Sequence, residues 1–198
     1  MAVKTISRPE LTLPEGEAAW ITDAYHKADV ILEYGSGGST VLASEMPGKT
    51  VFSVESDSAW SDNLQAYLDQ TKPASMPVLH PVNIGPVGKW GRPVDDSRWR
   101  NYHSYPLSVW DRADFVQPDV VLIDGRFRAA CFLTAVFRTQ KPITIYFDDY
   151  VGRRRYHVAE DYGGAPDICG RMARFEVEPQ AIDPMQLSRM MSVFTVPF

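Results

Sequence analysis

Acidic residues follow four separate apolar runs in this chain of 198 residues, each directly after the run ends. They are Glu33, Glu55, Asp124 and Asp148. Continuous apolar runs of this length are typical of buried parallel strands. Parallel strands bring their carboxyl ends to one edge of a sheet, and open α/β sheets bind ligands at that edge. We therefore predict that the four carboxylates lie at one ligand-binding edge.

A glycine-rich turn follows the first apolar run, in the segment EYGSGGST of residues 33–40. Gly35, Gly37 and Gly38 would let a ligand approach the backbone. A helix that begins near Ser39 would add free N–H groups and the positive end of its dipole. As a plain connection between a strand and a helix the same turn would need no ligand, so the turn alone is weak evidence of a site.

Two further residues narrow the ligand of this turn. The dinucleotide pattern G-x-G-x-x-G requires a third glycine, and Thr40 stands in its place. Glu55 lies 20 residues beyond Gly35, the spacing expected for an acid that binds ribose hydroxyls. Glu33, directly before the turn, would repel a pyrophosphate and suits a cationic sulfonium ligand with an amino-acid tail. A nucleoside ligand of that kind is favoured over a nicotinamide dinucleotide.

The elements around these residues alternate between strand and helix along the chain. Apolar spacing and turn residues predict strands at 30–32, 50–54, 78–84, 119–124 and 143–147, and two later ones at 174–177 and 192–196. Helices are predicted from residue 18, over 39–45, after an N-cap at Asp57, over 128–138 and over 154–161. Such alternation predicts a single α/β domain over residues 1–198, a doubly wound and mostly parallel sheet with helices on both faces.

The segment EYGSGGS, residues 33–39, resembles motif I of the class I S-adenosylmethionine-dependent methyltransferases. Val54-Glu55 resembles their second motif, whose acid binds the cofactor ribose. The resemblance covers about residues 18–150 and implies a seven-stranded sheet whose last strand is antiparallel. It implies S-adenosylmethionine as the cofactor. The cofactor-binding residues it implies are Glu33, Tyr34, Gly35, Ser36, Gly37, Gly38, Ser39, Glu55, Ser56 and Asp124.

The ends of the fourth and fifth predicted strands are similar to those of metal-dependent O-methyltransferases of the catechol and macrocin types. That resemblance implies that Asp124, Asp148 and Asp149 hold a divalent ion such as Mg²⁺, with Asp124 the candidate catalytic residue. Carboxylates are hard oxygen ligands that favour Mg²⁺, Ca²⁺ or Mn²⁺ over zinc. The same acids could instead cap turns. Phe127 and Arg126 depart from the family, because catechol-type members have a lysine and macrocin-type members an acid at those positions.

Residues 86–118 are longer than an ordinary connection and mix aromatic residues with arginines and His103. We predict that part of this segment forms a lid or an acceptor-binding surface; its aromatic residues could instead pack a short helix onto the domain. Arg153-Arg154-Arg155 could bind an anionic acceptor but is more simply a solvated helix start.

The net charge of −5 argues against a nucleic-acid substrate. No apolar run is long enough to span a membrane, and two cysteines without metal-ligand spacing fit the cytoplasm. The oligomeric state is left open. A methyltransferase acting on a small molecule at oxygen is the favoured function. A protein that binds the cofactor without methyl transfer and a nicotinamide-dependent oxidoreductase are the alternatives.

Overall fold

The computed structural model describes residues 7–197, so residues 1–6 and 198 of the predicted domain lie outside the described part. Strands and helices alternate through the first three quarters of this range. The strands are β1 Val30–Tyr34, β2 Thr50–Glu55, β3 Val78–Pro81, β4 Val120–Ile123, β5 Ile143–Phe147, β6 Asp167–Cys169 and β7 Met172–Val177. The α-helices are α1 Glu15–Lys27, α2 Gly38–Glu45, α3 Ser58–Thr71, α4 Ser104–Leu107, α5 Arg128–Arg138, α6 Glu160–Gly163 and α7 Leu187–Val193.

All seven strands join in one sheet of order β3-β2-β1-β4-β5-β7-β6. The first five strands pair in parallel, and β7 runs antiparallel to both β5 and β6. This is the Rossmann-like arrangement of class I methyltransferases, and it confirms the predicted doubly wound sheet with its antiparallel strand. Because the strand order reverses between β1 and β4, the crevice for a ligand opens above those two strands.

Two layers of apolar side chains cover the faces of the sheet. On one face α5 contributes a fully buried stripe, including Phe132 and Val136, that packs against β4 and β5. On the other face α1 places Ile21 and Tyr25 against β1 and β2. The sheet is therefore buried on both faces, as parallel sheets are. None of the helices within residues 7–197 is long and apolar enough to cross a membrane.

Two details of the predicted strands are wrong. Residues 192–196 belong to the end of helix α7 and the turn after it, because Met190 is buried and Val193 and Phe194 pack on the main core cluster. Side-chain packing here outweighs the β-propensity of the alternating sequence. The seventh strand is β6 instead, which was not predicted. The strand predicted at 78–84 is also too long, because β3 ends at Pro81. A proline fits this strand because β3 lies at the edge of the sheet.

The segment 86–118 divides into a buried part and an exposed part. Tyr102, Tyr105 and Trp110 lie in the main core cluster, whereas the side chains of Trp90 and Trp99 are exposed. The buried part includes helix α4. Several of the aromatic residues therefore pack a short helix onto the domain, as one of the two interpretations of the sequence expected.

Candidate functional site

A cavity of about 750 Å³ opens above the carboxyl ends of β2, β1, β4 and β5. Volumes of this size hold drug-sized ligands and cofactors. The N-terminal segment, the glycine turn and the exposed part of 86–118 form one side, and the ends of β4 and β5 form the other. Its lining residues are Glu10–Leu13, Gly35–Ser39, Glu55–Asp57, Trp60, Trp90–Arg92, Tyr105, Asp124–Arg126, Arg128, Asp148, Asp149, Arg153 and Arg171.

The glycine turn brings β1 against the end of β4. Gly35 has a φ of +105°, and a Cβ on it would lie 2.8 Å from the backbone nitrogen of Gly125. The N–H of Gly125 in turn donates to the carbonyl of Tyr34 at 2.5 Å. A side chain at position 35 would thus both strain the backbone and push the two strand ends apart. The turn needs glycine here to bring the two predicted site segments together.

Gly38 lies beneath the N-terminal segment of residues 10–13, which forms a wall of the cavity. A Cβ on Gly38 would lie 2.2 Å from the backbone oxygen of Glu10, closer than any real contact. Gly37, in contrast, would meet nothing within 4 Å. Gly38 therefore leaves room for the N-terminal segment, and Gly37 leaves open space where a ligand can reach the backbone.

Glu33 and Tyr34 do not line the cavity, although both were predicted to bind the cofactor. The Glu33 carboxylate is fully buried and accepts hydrogen bonds from Tyr25 (2.6 Å), Ser53 (3.1 Å) and Thr40. Burial raises the pKa of Glu33, and the hydroxyl donors partly offset this. The hydroxyl of Thr40 also accepts from the N–H of Gly37 at 3.0 Å, so Glu33 fixes the turn from below.

The side chain of Tyr34 points to the opposite side, into segment 86–118. Its hydroxyl donates to the carbonyl of Pro106 at 2.6 Å and accepts from the indole N–H of Trp110 at 2.7 Å. These bonds fasten the segment to strand β1. Tyr34 therefore positions part of the cavity wall through this segment.

Glu55 ends β2 and has one carboxylate oxygen that is nearly saturated. Its Oε1 accepts from the N–H of Ser56 (2.6 Å) and of Asp57 (2.9 Å), and the Ser56 hydroxyl oxygen lies 3.2 Å away. Its Oε2 accepts only the N–H of Ser36, at 3.2 Å. A carboxylate oxygen can accept two bonds, so Oε2 keeps capacity on the cavity side. Burial raises the pKa of Glu55, and its backbone donors act in the opposite direction.

Ser56, Trp60 and Ser39 line the same part of the cavity, beside the ends of β1 and β2. The Ser56 hydroxyl donates to the carbonyl of Gly91 at 3.0 Å and thereby attaches segment 86–118 to the end of β2. The indole N–H of Trp60 donates to the carbonyl of Ser36 at 2.7 Å. Ser39, at the start of α2, also lines the cavity. The predicted motif I and motif II residues other than Glu33 and Tyr34 therefore surround one corner of the cavity.

Three arginines surround the acids that were predicted to hold a metal. Asp148 is buried and accepts two bonds of 2.9 Å from the guanidinium of Arg171. Asp149 accepts a bond of 2.7 Å from Arg153. Asp124 accepts one of 3.0 Å from Arg128, which also donates to two main-chain carbonyls of residues 124–125. Helix α5, the turn after β5 and the β6–β7 hairpin each supply one of these cations.

A divalent ion does not fit this arrangement. Within residues 7–197 no group of three His, Cys, Asp or Glu side chains has the geometry to hold a metal ion. Ion-pair partners occupy both carboxylate oxygens of Asp148 and Asp149 and one of Asp124. The guanidinium of Arg128 also lies 3.3 Å from Asp149 and 3.9 Å from Asp148. A metal ion would have to displace or repel these cations. The guanidinium groups neutralise the acids here.

Asp124 is the acid of this group that can exchange a proton near neutral pH. Burial and the nearby carboxylates of Asp148 and Asp149 raise its pKa to about 7, against the opposing effect of Arg128. Arg171 holds the pKa of Asp148 below its usual value, even though burial acts in the opposite direction. Because one third of the Asp124 side chain is exposed, the carboxyl group can contact a ligand in the cavity.

The two residues that depart from the family lie on different sides of the backbone. Phe127 has a φ of +51° and points into the core, where its ring packs against Tyr102 and Tyr105 at centroid distances of 4.9 and 5.5 Å. Arg126 lines the cavity instead, with its side chain largely buried. The position of the catechol-type lysine is therefore a core position in this chain.

Comparison with solved structures gives one similar protein at high identity and several at low identity. A methyltransferase-like protein from Silicibacter pomeroyi is 50% identical, with a TM-score of 0.94 over 96% of this chain and 99% of its own. The O-methyltransferase TomG from Streptomyces achromogenes, solved with S-adenosylmethionine, is 17% identical (TM-score 0.56, 86% of this chain, 82% of its own). The cofactor-bound protein Rv0187 from MTB is 16% identical (TM-score 0.58, 88% and 85%).

Fold and site together define a Rossmann-like methyltransferase domain. The chain belongs to the class I S-adenosylmethionine-dependent methyltransferase superfamily, with the Silicibacter pomeroyi protein as a full-length relative. No protein-family model matches the sequence, and no curated protein matches it. The low-identity neighbours support the fold alone.

Several lining residues had no signal in the sequence. The N-terminal segment 10–13 reaches the cavity only because Gly38 admits it, and Arg171 arrives from the β6–β7 hairpin, far along the chain from the acids it binds. Arg128 was visible only as the first residue of a predicted helix. Arg126 stood out as a departure from the family, and Arg153 stood out as part of the run Arg153-Arg154-Arg155.

Proposed function

We propose that this protein transfers a methyl group from S-adenosylmethionine to an oxygen atom of a small molecule. One observation carries the proposal. The glycine turn and Glu55 line one end of the cavity, and Asp124, whose pKa is raised to about 7, lines the other. The cofactor, the acceptor and the direction of the reaction are inferences from these residues and from the superfamily.

The residues of the β1–α2 and β2–α3 corner fit the cofactor. The open backbone at Gly37 and the first N–H groups of α2 would face its amino-acid tail. The Oε2 atom of Glu55 would accept from a ribose hydroxyl, and Ser36, Ser39 and Ser56 would lie beside the ribose. When bound, S-adenosylmethionine supplies an electrophilic methyl group on a sulfonium.

Asp124 is the proposed catalytic residue. As the carboxylate it would accept the proton of an acceptor hydroxyl, and a base works best when its pKa lies near the working pH. Arg128 would hold it in place through the bond of 3.0 Å. Methyl transfer needs little other acid–base help, because alignment of the two reactants alone gives a large acceleration.

A cofactor-binding protein without methyl transfer is the second candidate. The observation that favours it is Phe127, which buries the position that carries the lysine base in catechol-type enzymes. In that case the cavity would bind the cofactor and a second ligand, and Asp124 would only help to position them. The exclusion of nucleic acid and a cytoplasmic location remain predictions from the sequence.

The test is a transfer assay with S-adenosylmethionine labelled in its methyl group, run on a panel of hydroxylated small molecules with and without Mg²⁺. We expect label to enter at least one acceptor at a rate that does not depend on Mg²⁺, and Asp124→Asn to lower that rate by at least about 100-fold. Asp62→Asn, on the exposed face of α3, is the matched control. Binding of the cofactor without transfer to any acceptor would favour the second candidate.

A further inference from the structure

We propose that Arg126 binds a carboxylate or phosphate group of the methyl acceptor, so that this enzyme selects anionic acceptors. This inference rests on the proposed function, because it names the class of molecule that the same cavity takes. The observation behind it is a buried arginine on the cavity wall that has no carboxylate within ion-pair distance among residues 7–197.

Arg126 is 8% exposed, and its Nε is buried with no hydrogen-bond partner among the described residues. Its strongest electrostatic neighbours are Arg128, Tyr105, Tyr156 and Arg92. Two of these are cations, and no carboxylate of residues 7–197 forms an ion pair with Arg126. The surroundings of Arg126 are therefore electropositive, although acids are numerous elsewhere in the cavity.

The nearby acids do not compensate Arg126, because other arginines bind them. Arg171 binds Asp148, Arg153 binds Asp149, and Arg128 binds Asp124. A buried cation that lacks a partner is costly, and burial lowers the pKa of Arg126, with Arg128 adding to the effect. A protein keeps such a group when a ligand supplies the missing charge. The planar fork of a guanidinium matches two oxygens of a carboxylate or a phosphate.

The position of Arg126 assigns the anion to the acceptor. In the proposed function the cofactor's own carboxylate lies at the other end of the cavity, beside the first N–H groups of helix α2. Arg126 follows β4, and the hydroxyl of Tyr105 from α4 contacts its backbone N–H at 3.4 Å. Tyr156 reaches it from the turn after β5. None of these elements forms the glycine turn.

The binding test uses two probes that differ in one charged group, 3,4-dihydroxybenzoate and catechol, with inorganic phosphate as a third. Each is titrated calorimetrically into the protein with and without S-adenosylhomocysteine. We expect 3,4-dihydroxybenzoate or phosphate to bind the wild type, with dihydroxybenzoate at least tenfold tighter than catechol. Arg126→Gln should lower the affinity for the anions at least tenfold and leave the affinity for S-adenosylhomocysteine within about twofold of the wild-type value. Arg154→Gln removes an exposed neighbouring charge outside the cavity and should behave as wild type.

Stability gives an independent readout. Without an anion, Arg126→Met should raise Tm by about 2 °C or more, because it removes a buried cation that has no partner. The same variant should lose the rise in Tm that phosphate or dihydroxybenzoate gives the wild type. Arg126→Lys keeps the charge without the fork and should retain only part of the anion affinity.

Several results would overturn the inference. Equal binding of catechol and dihydroxybenzoate, no binding of either anion, or anion binding that Arg126→Gln does not change would each remove it. A loss of S-adenosylhomocysteine affinity in Arg126→Gln would assign the guanidinium to the cofactor. If the wild type binds the anions through Arg126 but does not bind S-adenosylhomocysteine, the proposed methyl transfer fails and the anion site stands.

Discussion

Replacing Glu55 with glutamine removes the negative charge from the ribose site while keeping an oxygen for two of its three backbone donors. The amide oxygen can still accept from the N–H groups of Ser56 and Asp57, whereas the amide nitrogen takes the place of Oε2. Beside the bond from Ser36, Oε2 can accept one bond from the ribose, and losing one charge-assisted hydrogen bond costs about 1.5 to 3 kcal/mol. The dissociation constant for S-adenosylhomocysteine should then rise about 10- to 100-fold.

Alanine at position 55 would change both the affinity for the cofactor and the stability of the fold, so the two effects could not be separated. It would leave buried backbone donors without an acceptor, at about 1–3 kcal/mol for each unsatisfied group, and Tm would fall by several degrees. The assay is therefore calorimetric titration of Glu55→Gln with S-adenosylhomocysteine, together with urea unfolding of the same sample. Asp62→Asn is the control, because it removes one negative charge from an exposed position of α3. Affinity equal to wild type in a well-folded Glu55→Gln protein would refute the role of Glu55.

The site leads to four further predictions. The pKa of Asp124 is about 7 in the folded protein and near 3.8 without the fold, so the free energy of unfolding should decrease as pH rises from about 4 to about 7. Asp124→Asn should flatten that decrease in urea unfolding, and an unchanged pH profile would contradict the assignment. Gly38→Ala should displace the segment at Glu10 and weaken S-adenosylhomocysteine binding, and equal affinity would show that this segment is no part of the site. Arg171→Met should cost about 2–4 kcal/mol, because it leaves the buried carboxylate of Asp148 without its main partner. Millimolar Mg²⁺ should leave the wild-type Tm unchanged, and a rise would restore the metal site.

The parts of the fold that follow from local pattern were predictable, and the parts that depend on packing were not. Four of the five parallel strands are apolar runs with an acid at the end, so both their order along the chain and the position of the ligand edge could be predicted. The end of the chain was misread, because the burial of Met190 and not β-propensity determines helix α7. Strand β6 has three residues and gives no periodic signal.

The same division holds for the site. Motif resemblance predicted a cofactor site at Gly35 and Glu55, which both line the cavity, but could not show that the carboxylate of Glu33 lies beneath the turn. The acids at the ends of β4 and β5 looked like metal ligands, because a sequence pattern shows the carboxylates and not their partners. Arg171 comes from a hairpin that only the folded sheet brings to Asp148. Long-range ion pairs of this kind have no local signature.

The most direct test of the central claim is a calorimetric titration of the wild-type protein with S-adenosylhomocysteine and, in parallel, with NAD. If the glycine turn and Glu55 hold the methyl donor, S-adenosylhomocysteine should bind one molecule per chain and NAD should give no measurable heat. Binding of NAD without binding of S-adenosylhomocysteine would contradict the account and assign the cavity to a nicotinamide cofactor.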